Sequence, residues 1–388
     1  MRPMKIVLFA NTDWYLYNFR RSLALALRSA GHEVLLISPA GDYGEKLRQL
    51  GLRWEPLPMD RRSLNPLREA RLLWHLVSLF RREKPQLVHG FTIKCAVYGS
   101  LAARLAGVPA RINAVAGMGY VFTSDAPKAR LLRPLVRGLL RLALGGSGAR
   151  LILQNPDDVA LFARAGLVDA GTVRLIPGSG VDCTRFTARA ANAPSNAVPR
   201  VLLAARLLWD KGLAEYVEAA RTLQAEGRAV TFLLAGTPDP GNPAAVPLET
   251  VRSWVEQGVV EWLGHVDDMR ALLETVDLMV LPSYREGLPK SLIEAAACGL
   301  PLITTDVPGC REVVTDGVDG LRVPARDAVA LAAAMTRLLD DPALAARLGQ
   351  AARAKALAEF DERIVIERTL AVYGELLDGS AQAQPRSL

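Results

Sequence analysis

Two doubly wound, Rossmann-like α/β domains in tandem are the fold this sequence predicts, and three observations predict it. Short apolar runs alternate with helical stretches along nearly all 388 residues, the pattern of repeated βαβ units. The runs are near-continuously apolar rather than alternating, as expected of parallel strands covered on both faces. The series then halts at a Pro/Ala/Asn-rich stretch, TARAANAPSNAVP (187–199), and restarts after it. The chain also exceeds the roughly 100–150 residues of a typical domain.

The first series of predicted strands is KIVLFA (5–10), EVLLIS (33–38), QLVHG (86–90), ARINAV (110–115), ARLILQ (149–154) and VRLIPG (173–178). Helices are predicted between them at 19–30, 67–82, 95–106 and 126–143, with Gly31 stopping the first. The second series is RVLLAA (200–205), VTFLLAG (230–236), VVEWLG (259–264), LMVLPS (278–283), PLITT (301–305) and GLRVPA (320–325). Its predicted helices cover 213–225, 268–275, 291–298 and 328–339. Residues 342–377 read as helical, and the tail GSAQAQPRSL as frayed. The expected domains are 1–182 and 183–358, with a C-terminal helix at 359–377 crossing back to the first domain and a flexible tail at 378–388. Ligands of open α/β sheets bind beyond the carboxyl ends of the strands. Two such domains facing across a cleft would line it with both sets of strand-to-helix loops.

Composition narrows the function classes. Half the residues are hydrophobic and 22% are charged, with 31 Gly and 24 Pro, which excludes disorder, collagen and coiled coil. Cys95, Cys183, Cys298 and Cys310 are scattered without a CxxC. That argues against a disulfide framework or zinc site and for a reducing compartment. With only 4 His, no metal site is expected. No stretch approaches the roughly 18 apolar residues of a transmembrane helix, and the run from Ile6 to Ala10 is too short for a signal sequence. Residues 1–150 hold 24 Lys+Arg against 9 Asp+Glu, whereas 201–388 hold 18 against 27. Such polarity points to an anionic partner for the first half. Nucleic acid is not that partner: there is no zinc motif, RNP motif or helix-turn-helix signature, and few aromatics lie near the cations.

The stretch YREGLPKSLIEAAACGLPLITTD (284–306) carries the most chemistry. Glu286 sits in a Gly/Pro loop at a strand's carboxyl end, and Glu294 about one turn into the following helix. The amides of Gly287, Leu288, Lys290 and Ser291 would suit a diphosphate or sugar oxygen. A surface loop with an early glutamate offsetting the helix dipole reads equally well. In ARLLWDKG (205–212), Arg206 and Lys211 flank a strand-to-helix turn and could neutralise two phosphates. An ordinary cationic loop pairing with Asp210 or Glu215 also fits. IPGSGVDCTRF (176–186) reads as a hinge.

Arg206-x4-Lys211, then Glu286-x7-Glu294 followed by ACGLP, resembles the retaining family 4 glycosyltransferases of GT-B fold. The resemblance spans nearly the whole chain, including PGSGVD where the family often shows PNGVD. It implies that Arg206 and Lys211 bind the donor diphosphate and stabilise the leaving nucleotide, that Glu294 holds the ribose hydroxyls, and that Glu286 with the Gly287 and Leu288 amides holds the donor sugar. Glu286, Arg206 and Lys211 are thereby the catalytic candidates. WLGHVDD (262–268) matches a loop that touches the base, which nominates His265 and Val266. The family needs no divalent metal and no cofactor, and Asp267–Asp268 and Asp340–Asp341 are read as helix caps or surface.

In the first domain, NTDWYLYNFR (11–20), VHGFTIKCAVYGSLAARLAGVP (88–109) and NAVAGMGYVFTS (113–124) are similar to the bacterial subgroup that extends undecaprenyl-diphosphate-linked glycans such as capsule, O-antigen and N-glycan precursors. Two positions depart from the family: Asn11-Thr12-Asp13 replaces a Gly-Gly pair, and Ala116 replaces a His before Gly117. Asn11, Lys94 and Gly117 are the loop candidates for the acceptor side. His89, at a strand's end, either faces the cleft or is a buried structural residue. The implied activity is retaining transfer of a hexose or N-acetylhexosamine from a nucleotide-diphosphate sugar, UDP-linked, to a polyprenyl-diphosphate-linked sugar acceptor. The implied location is cytoplasmic, peripheral on the inner face of the membrane. A sugar-nucleotide 2-epimerase of the same fold and a non-catalytic membrane scaffold are the competing readings. A nicotinamide dehydrogenase is disfavoured, because the loop after Ala10 reads NTDWYL where GxGxxG would stand.

The segment 126–150 carries Lys128, Arg130, Arg133, Arg137, Arg141 and Arg150 with no acid. Arg130, Arg133, Arg137 and Arg141 fall three or four apart along one helical face, and Leu131, Leu135, Leu139 and Leu142 form an adjoining stripe. Such a helix suits an anionic membrane surface at roughly 1 kcal/mol per cation. The apolar run 72–80, flanked by Arg68, Arg71, Arg81 and Arg82, would assist. The alternative is a helix packing its leucines on the sheet with a solvated basic face.

Overall fold

The structure, a computed structural model, describes residues 3–61, 63, 65–115, 127–189, 196–239 and 241–381, with their side chains except at 127–133, 135, 136 and 378–381. The chain forms two compact units, one ending at Ser179 and resuming from Val365, the other Gly180–Ile364.

The sheet of the first unit consists of β1 (Lys5–Phe9), β2 (Glu33–Ser38), β3 (Arg53–Pro56), β4 (Leu87–Phe91), β5 (Ala110–Ala114), β6 (Ala149–Leu153) and β7 (Val173–Leu175). These strands are parallel in the order β3-β2-β1-β4-β5-β6-β7. Both faces are covered: Ile6 and Leu8 point into one apolar cluster, Val7 and Phe9 into another, which is why the run reads as continuous rather than alternating. Each of the six strands expected in this half overlaps an observed one. The edge strand β3 was not expected, because Trp54 is the one fully covered residue of RWEP, and one covered position makes no pattern. The Trp54 indole donates to Ser38 Oγ at 2.9 Å.

Helix formation after β1 begins earlier than expected. Thr12 Oγ1 accepts from the Tyr15 amide at 3.1 Å and starts α1 (Asp13–Tyr15). A π-type turn (Leu16–Arg20) then leads into α2 (Arg21–Ser29). Around the sheet lie α3 (Gly44–Gln49), α4 (Pro66–Glu83), α5 (Ile93–Ala106), α6 (Pro127–Leu144) and α7 (Pro156–Arg164).

The second unit repeats the design with β8 (Arg200–Ala204), β9 (Thr231–Ala235), β10 (Glu261–Gly264), β11 (Leu278–Leu281), β12 (Leu302–Thr305) and β13 (Leu321–Val323), parallel in the order β10-β9-β8-β11-β12-β13. Its helices are α8 (Leu213–Ala225), α9 (Leu248–Glu256), α10 (Met269–Leu273), α11 (Lys290–Ala297), α12 (Cys310–Val313), α13 (Ala328–Asp340) and α14 (Pro342–Lys355). The final helix, α15 (Glu362–Ala381), packs Val365, Val372, Tyr373 and Leu376 into the core of the first unit. The first unit resumes at Val365. The Val181 amide donates to Phe360 O at 2.9 Å and the Glu362 amide to Val181 O at 3.0 Å, which ties the preceding turn to the second unit.

In each unit the strand order reverses at one place, between β1 and β4 and between β8 and β11. Those reversals open crevices beyond the carboxyl ends of the two strands, the places where open α/β sheets bind ligands.

Candidate active site

The loops leaving β8 and β11 meet at the reversal in the second unit. The Tyr284 amide donates to Asp210 O at 2.9 Å, stitching one loop to the other. Gly212 sits at φ +72° with its α-carbon turned toward the Pro282 carbonyl, where a side chain would collide. A third segment braces the site: the Glu286 amide donates to Pro308 O at 3.0 Å. Gly309, at φ +86°, leaves room for the Glu286 carbonyl, which an added Cβ would approach to 2.5 Å.

These contacts bring Lys211 and Glu286 together. Lys211 Nζ donates to Glu286 Oε1 at 2.5 Å, and Ser283 Oγ donates to the same oxygen at 2.7 Å. The two charged side chains are only 14% and 13% exposed, so the ammonium and carboxylate are held with little water between them. Arg206 stands apart from the pair. Its guanidinium is 60% exposed and donates to Asp239 Oδ2 at 3.0 Å. The pairing considered from sequence, Arg206 or Lys211 with Asp210 or Glu215, is replaced by Asp239 and Glu286. Glu215 instead accepts from the Tyr284 hydroxyl at 2.8 Å. Burial together with Glu215 pushes that phenol up to about 12.

Glu294 lies in the second turn of α11, with Lys290 Nζ 3.7 Å from its Oε1. Burial raises its carboxyl above the ordinary range, with Lys290 and Arg185 opposing the shift. α11 starts after Pro289 without a side-chain cap, so its first amides point beyond the helix. Leu288 packs on the core and Gly287 bridges it to Glu286. In the β10–α10 loop, Val266 packs inward, while His265 is about half exposed with Nε2 at 3.4 Å from Asp267 Oδ1. Asp268 and Asp341 cap helices, accepting from the Ala271 amide at 3.3 Å and the Leu344 amide at 2.9 Å. Asp340 pairs with Arg228 at 2.6 Å. Sequence reasoning missed Ser283, Asp239 and Gly309. The first lies three residues before Glu286 and had a positional signal; the other two come from distant loops and had none.

Of the acceptor-side candidates in the first unit, Asn11 lies two residues past the end of β1. Lys94, in the first turn of α5, is fully engaged: its Nζ donates to Asp60 O at 2.7 Å, Ser63 O at 3.1 Å and Glu69 Oε1 at 2.7 Å. Gly117 lies outside the described residues. His89 is buried, with Nδ1 2.7 Å from the Tyr373 hydroxyl.

On α6 the side chains of Lys128, Arg130, Arg133, Leu131 and Leu135 lie outside the described set. Arg137 and Arg141 are exposed; Leu140, Ala143 and Leu144 pack inward, and Leu139 and Leu142 stay in the open. Those two leucines therefore do not pack on the sheet. The expected role of 72–80 is corrected: Leu72, Leu76, Val77, Leu79 and Phe80 belong to the core. The large apolar side chains that α4 exposes are Leu67 (82%) and Trp74 (70%), beside Arg68, Arg71, Arg81 and Arg82. Among the described residues, no helix is long and apolar enough to cross a membrane.

Residues 198–341 match the family model of glycosyl transferases group 1, and residues 5–154 that of the glycosyl transferase 4-like domain. The chain is 30% identical to an N,N'-diacetylbacillosaminyl-diphospho-undecaprenol alpha-1,3-N-acetylgalactosaminyltransferase of Campylobacter jejuni, over 96% of this chain and 99% of that one. It is 27% identical to a UDP-Gal:alpha-D-GlcNAc-diphosphoundecaprenol alpha-1,3-galactosyltransferase of Escherichia coli, over 73% and 74% of the two chains. Among solved structures, a sucrose-phosphate synthase of Thermosynechococcus elongatus superposes with a TM-score of 0.79 at 22% identity, covering 97% of this chain and 100% of that one. Anabaena HepE in complex with UDP superposes with a TM-score of 0.76 at 20% identity, covering 96% and 100%.

Proposed function

Because this chain belongs to the family 4 glycosyltransferases of GT-B fold, we propose that it moves a hexose or N-acetylhexosamine from a nucleotide-diphosphate sugar, UDP-linked, to a polyprenyl-diphosphate-linked sugar, with retention of configuration. The observation that carries this is the Lys211–Glu286 pair, 2.5 Å long at the β8–β11 reversal, with the Arg206 guanidinium open to solvent at the end of β8. The relative from Campylobacter jejuni, matched end to end, acts by its name on a diphospho-undecaprenol-linked sugar.

In this reading Arg206 and Lys211 face the donor diphosphate. The sugar C1–O bond to the β-phosphate breaks, and the negative charge that develops on the leaving oxygen is met by the two cations and the amides at the start of α11. Glu286, held by Ser283 and the Pro308 carbonyl, orients the sugar hydroxyls, and Glu294 accepts from the ribose. The acceptor hydroxyl attacks C1 on the face the nucleotide leaves, and its proton passes to the departing phosphate oxygen. No protein nucleophile is required.

The acceptor side is read as a membrane-surface site. Exposed Arg137 and Arg141 beside Leu139 and Leu142, and Leu67 and Trp74 beside Arg68 and Arg71, combine cations with apolar side chains in the manner of interfacial helices. Proton NMR of the product from an α-linked donor tests the stereochemistry. An α-linkage to the lipid-borne sugar is expected; a β-linkage would overturn retention, and transfer to lipid-free sugar at the same rate would overturn the acceptor class.

A further inference from the structure

Arg20 is a buried cation that has no counterion among the described residues. It is 5% exposed, and among the described residues it forms no ion pair and its Nε has no hydrogen-bond partner. Its Nη2 donates to the Tyr15 hydroxyl at 3.2 Å, and its guanidinium lies 4.4 Å from the Phe91 ring centre and 5.7 Å from that of Tyr15. An arginine has five N–H donors, and burying its charge is costly unless an anion answers it.

Its neighbours do not answer it. His89, whose ring centre lies 4.1 Å from that of the same Phe91 at a tilt of 37°, is held far below its ordinary range by burial and by Arg20 itself. Burial drives the Tyr373 hydroxyl upward. Both rings are therefore neutral, and among the described residues of the cluster the charge of Arg20 is left unbalanced. Asp13 is committed elsewhere: its carboxylate accepts from the amides of Trp14, Tyr43 and Gly44, each at 2.8 Å.

Two backbone irregularities converge on the same place. Arg20 ends the π-type turn Leu16–Arg20, a feature that recurs at functional sites. Thr92, which follows Phe91, has φ 73° and ψ 158°, a region occupied almost solely by glycine and associated with functional strain. A β-branched residue held there just beyond β4 marks the β1–β4 reversal, the ligand-binding position of this sheet.

We propose that Arg20 binds a phosphate group of the lipid-diphosphate acceptor at the carboxyl ends of β1 and β4. The proposal rests on the transferase reading above. A diphosphate oxygen arriving beside Phe91 supplies the anion that the guanidinium lacks, in surroundings apolar enough to strengthen the contact.

The test uses the full chain in saturating UDP, so that the cations of the second unit are already occupied. The probes are a farnesyl-diphosphate-linked N-acetylhexosamine, the matching farnesyl glycoside without phosphate, and inorganic pyrophosphate, each titrated calorimetrically. Arg20→Gln is expected to weaken the diphosphate probe about tenfold or more and to leave UDP and the phosphate-free glycoside unaffected. Arg20→Lys, which keeps the charge and loses the fork, is expected to weaken it about threefold. Equal affinity of wild type and Arg20→Gln for the diphosphate probe overturns the inference, as does an equal loss for both prenyl probes. Pyrophosphate bound as tightly as the prenyl probe would make free phosphate the ligand and overturn the lipid assignment. If Arg20→Gln does not fold, Arg20→Lys decides alone, and wild-type affinity in it is fatal. A wild type that binds no nucleotide fails the transferase reading instead, which separates the two failures.

Discussion

Lys211 Nζ and Glu286 Oε1 lie 2.5 Å apart although 75 residues separate them in the chain. Their loops leave β8 and β11, neighbours at the point where the strand order reverses. The pair therefore follows from topology rather than from local sequence. Ser283 Oγ and Lys211 Nζ both donate to Glu286 Oε1 and hold its carboxylate in place; in the proposed reaction the donor diphosphate competes with Glu286 for the lysine. Lys211→Ala is expected to lower kcat/KM about 10²–10³-fold, the scale of losing one preorganised charge stabiliser. Glu286→Gln should lose activity too, and the double variant should lose less than the two effects combined. Steady-state kinetics decide the point, and a near-wild-type rate in Lys211→Ala would contradict the role.

Glu294 sets a pH dependence of stability whose sign follows from its burial. Its carboxyl titrates above the ordinary range in the fold. Between the unfolded value and the raised one, the native state holds more protons than the unfolded state. Stability from this group is therefore present at low pH and lost as pH rises through the raised value. Glu294→Gln should accordingly have a higher Tm than wild type at neutral pH without donor, and the gap should close below about pH 4. The same variant should bind donor more weakly at neutral pH. A Tm below wild type at neutral pH would contradict the assignment.

Gly309 and Gly227 separate backbone strain from site geometry. Both have positive φ, +86° and +78°, but a Cβ on Gly309 meets the Glu286 carbonyl whereas one on Gly227 meets nothing within 4 Å. Gly227→Ala should cost about 1–2 kcal/mol of stability with kcat unchanged. Gly309→Ala should cost at least as much and also lower kcat about tenfold by displacing Glu286. Thermal melts paired with kinetics test this, and an unchanged kcat in Gly309→Ala would contradict the bracing role.

Membrane attachment is read from exposed side chains on two helices. Replacing Arg137 and Arg141 together by Gln removes two cations worth about 1 kcal/mol each near an anionic surface. Affinity for phosphatidylglycerol-containing vesicles should fall roughly 30-fold and the remainder should fade with salt. Trp74→Ala should weaken binding separately, with less salt dependence. Co-sedimentation measures both, and wild-type binding by the double variant would remove α6 from the interface.

Most of the fold was legible because buried parallel strands leave unbroken apolar runs; each of the expected strands overlaps an observed one. The exceptions are instructive. RWEP in β3 fully covers only Trp54, which leaves no periodic signal, whereas α9 (Leu248–Glu256) does place Leu248, Val251 and Trp254 three apart on one face, a signal that the sequence reading passed over. Arg206, Lys211, Glu286 and Glu294 stood out in the sequence through the family resemblance of their combined spacing, and the structure brings Lys211 and Glu286 together. Asp239 and Gly309 did not stand out, because they reach the site from loops far away in sequence. The apolar run 72–80 misled for the opposite reason. It is apolar because it is core, and the residues that α4 exposes, Leu67 and Trp74, stand at its margin and within it as single positions. Arg20 was visible within NTDWYLYNFR, but nothing in that string says that its charge is buried beside Phe91.

The proposed donor cleavage at the Lys211–Glu286 site is coupled to a lipid-linked acceptor. Nucleotide release from a panel of UDP- and GDP-sugars, with and without bacterial lipid extract, tests it most directly, with Lys211→Ala as the control. Lipid-dependent release of UDP from one donor, lost in Lys211→Ala, is expected. No release from any donor in the presence of lipid, or release that survives in Lys211→Ala, would contradict it.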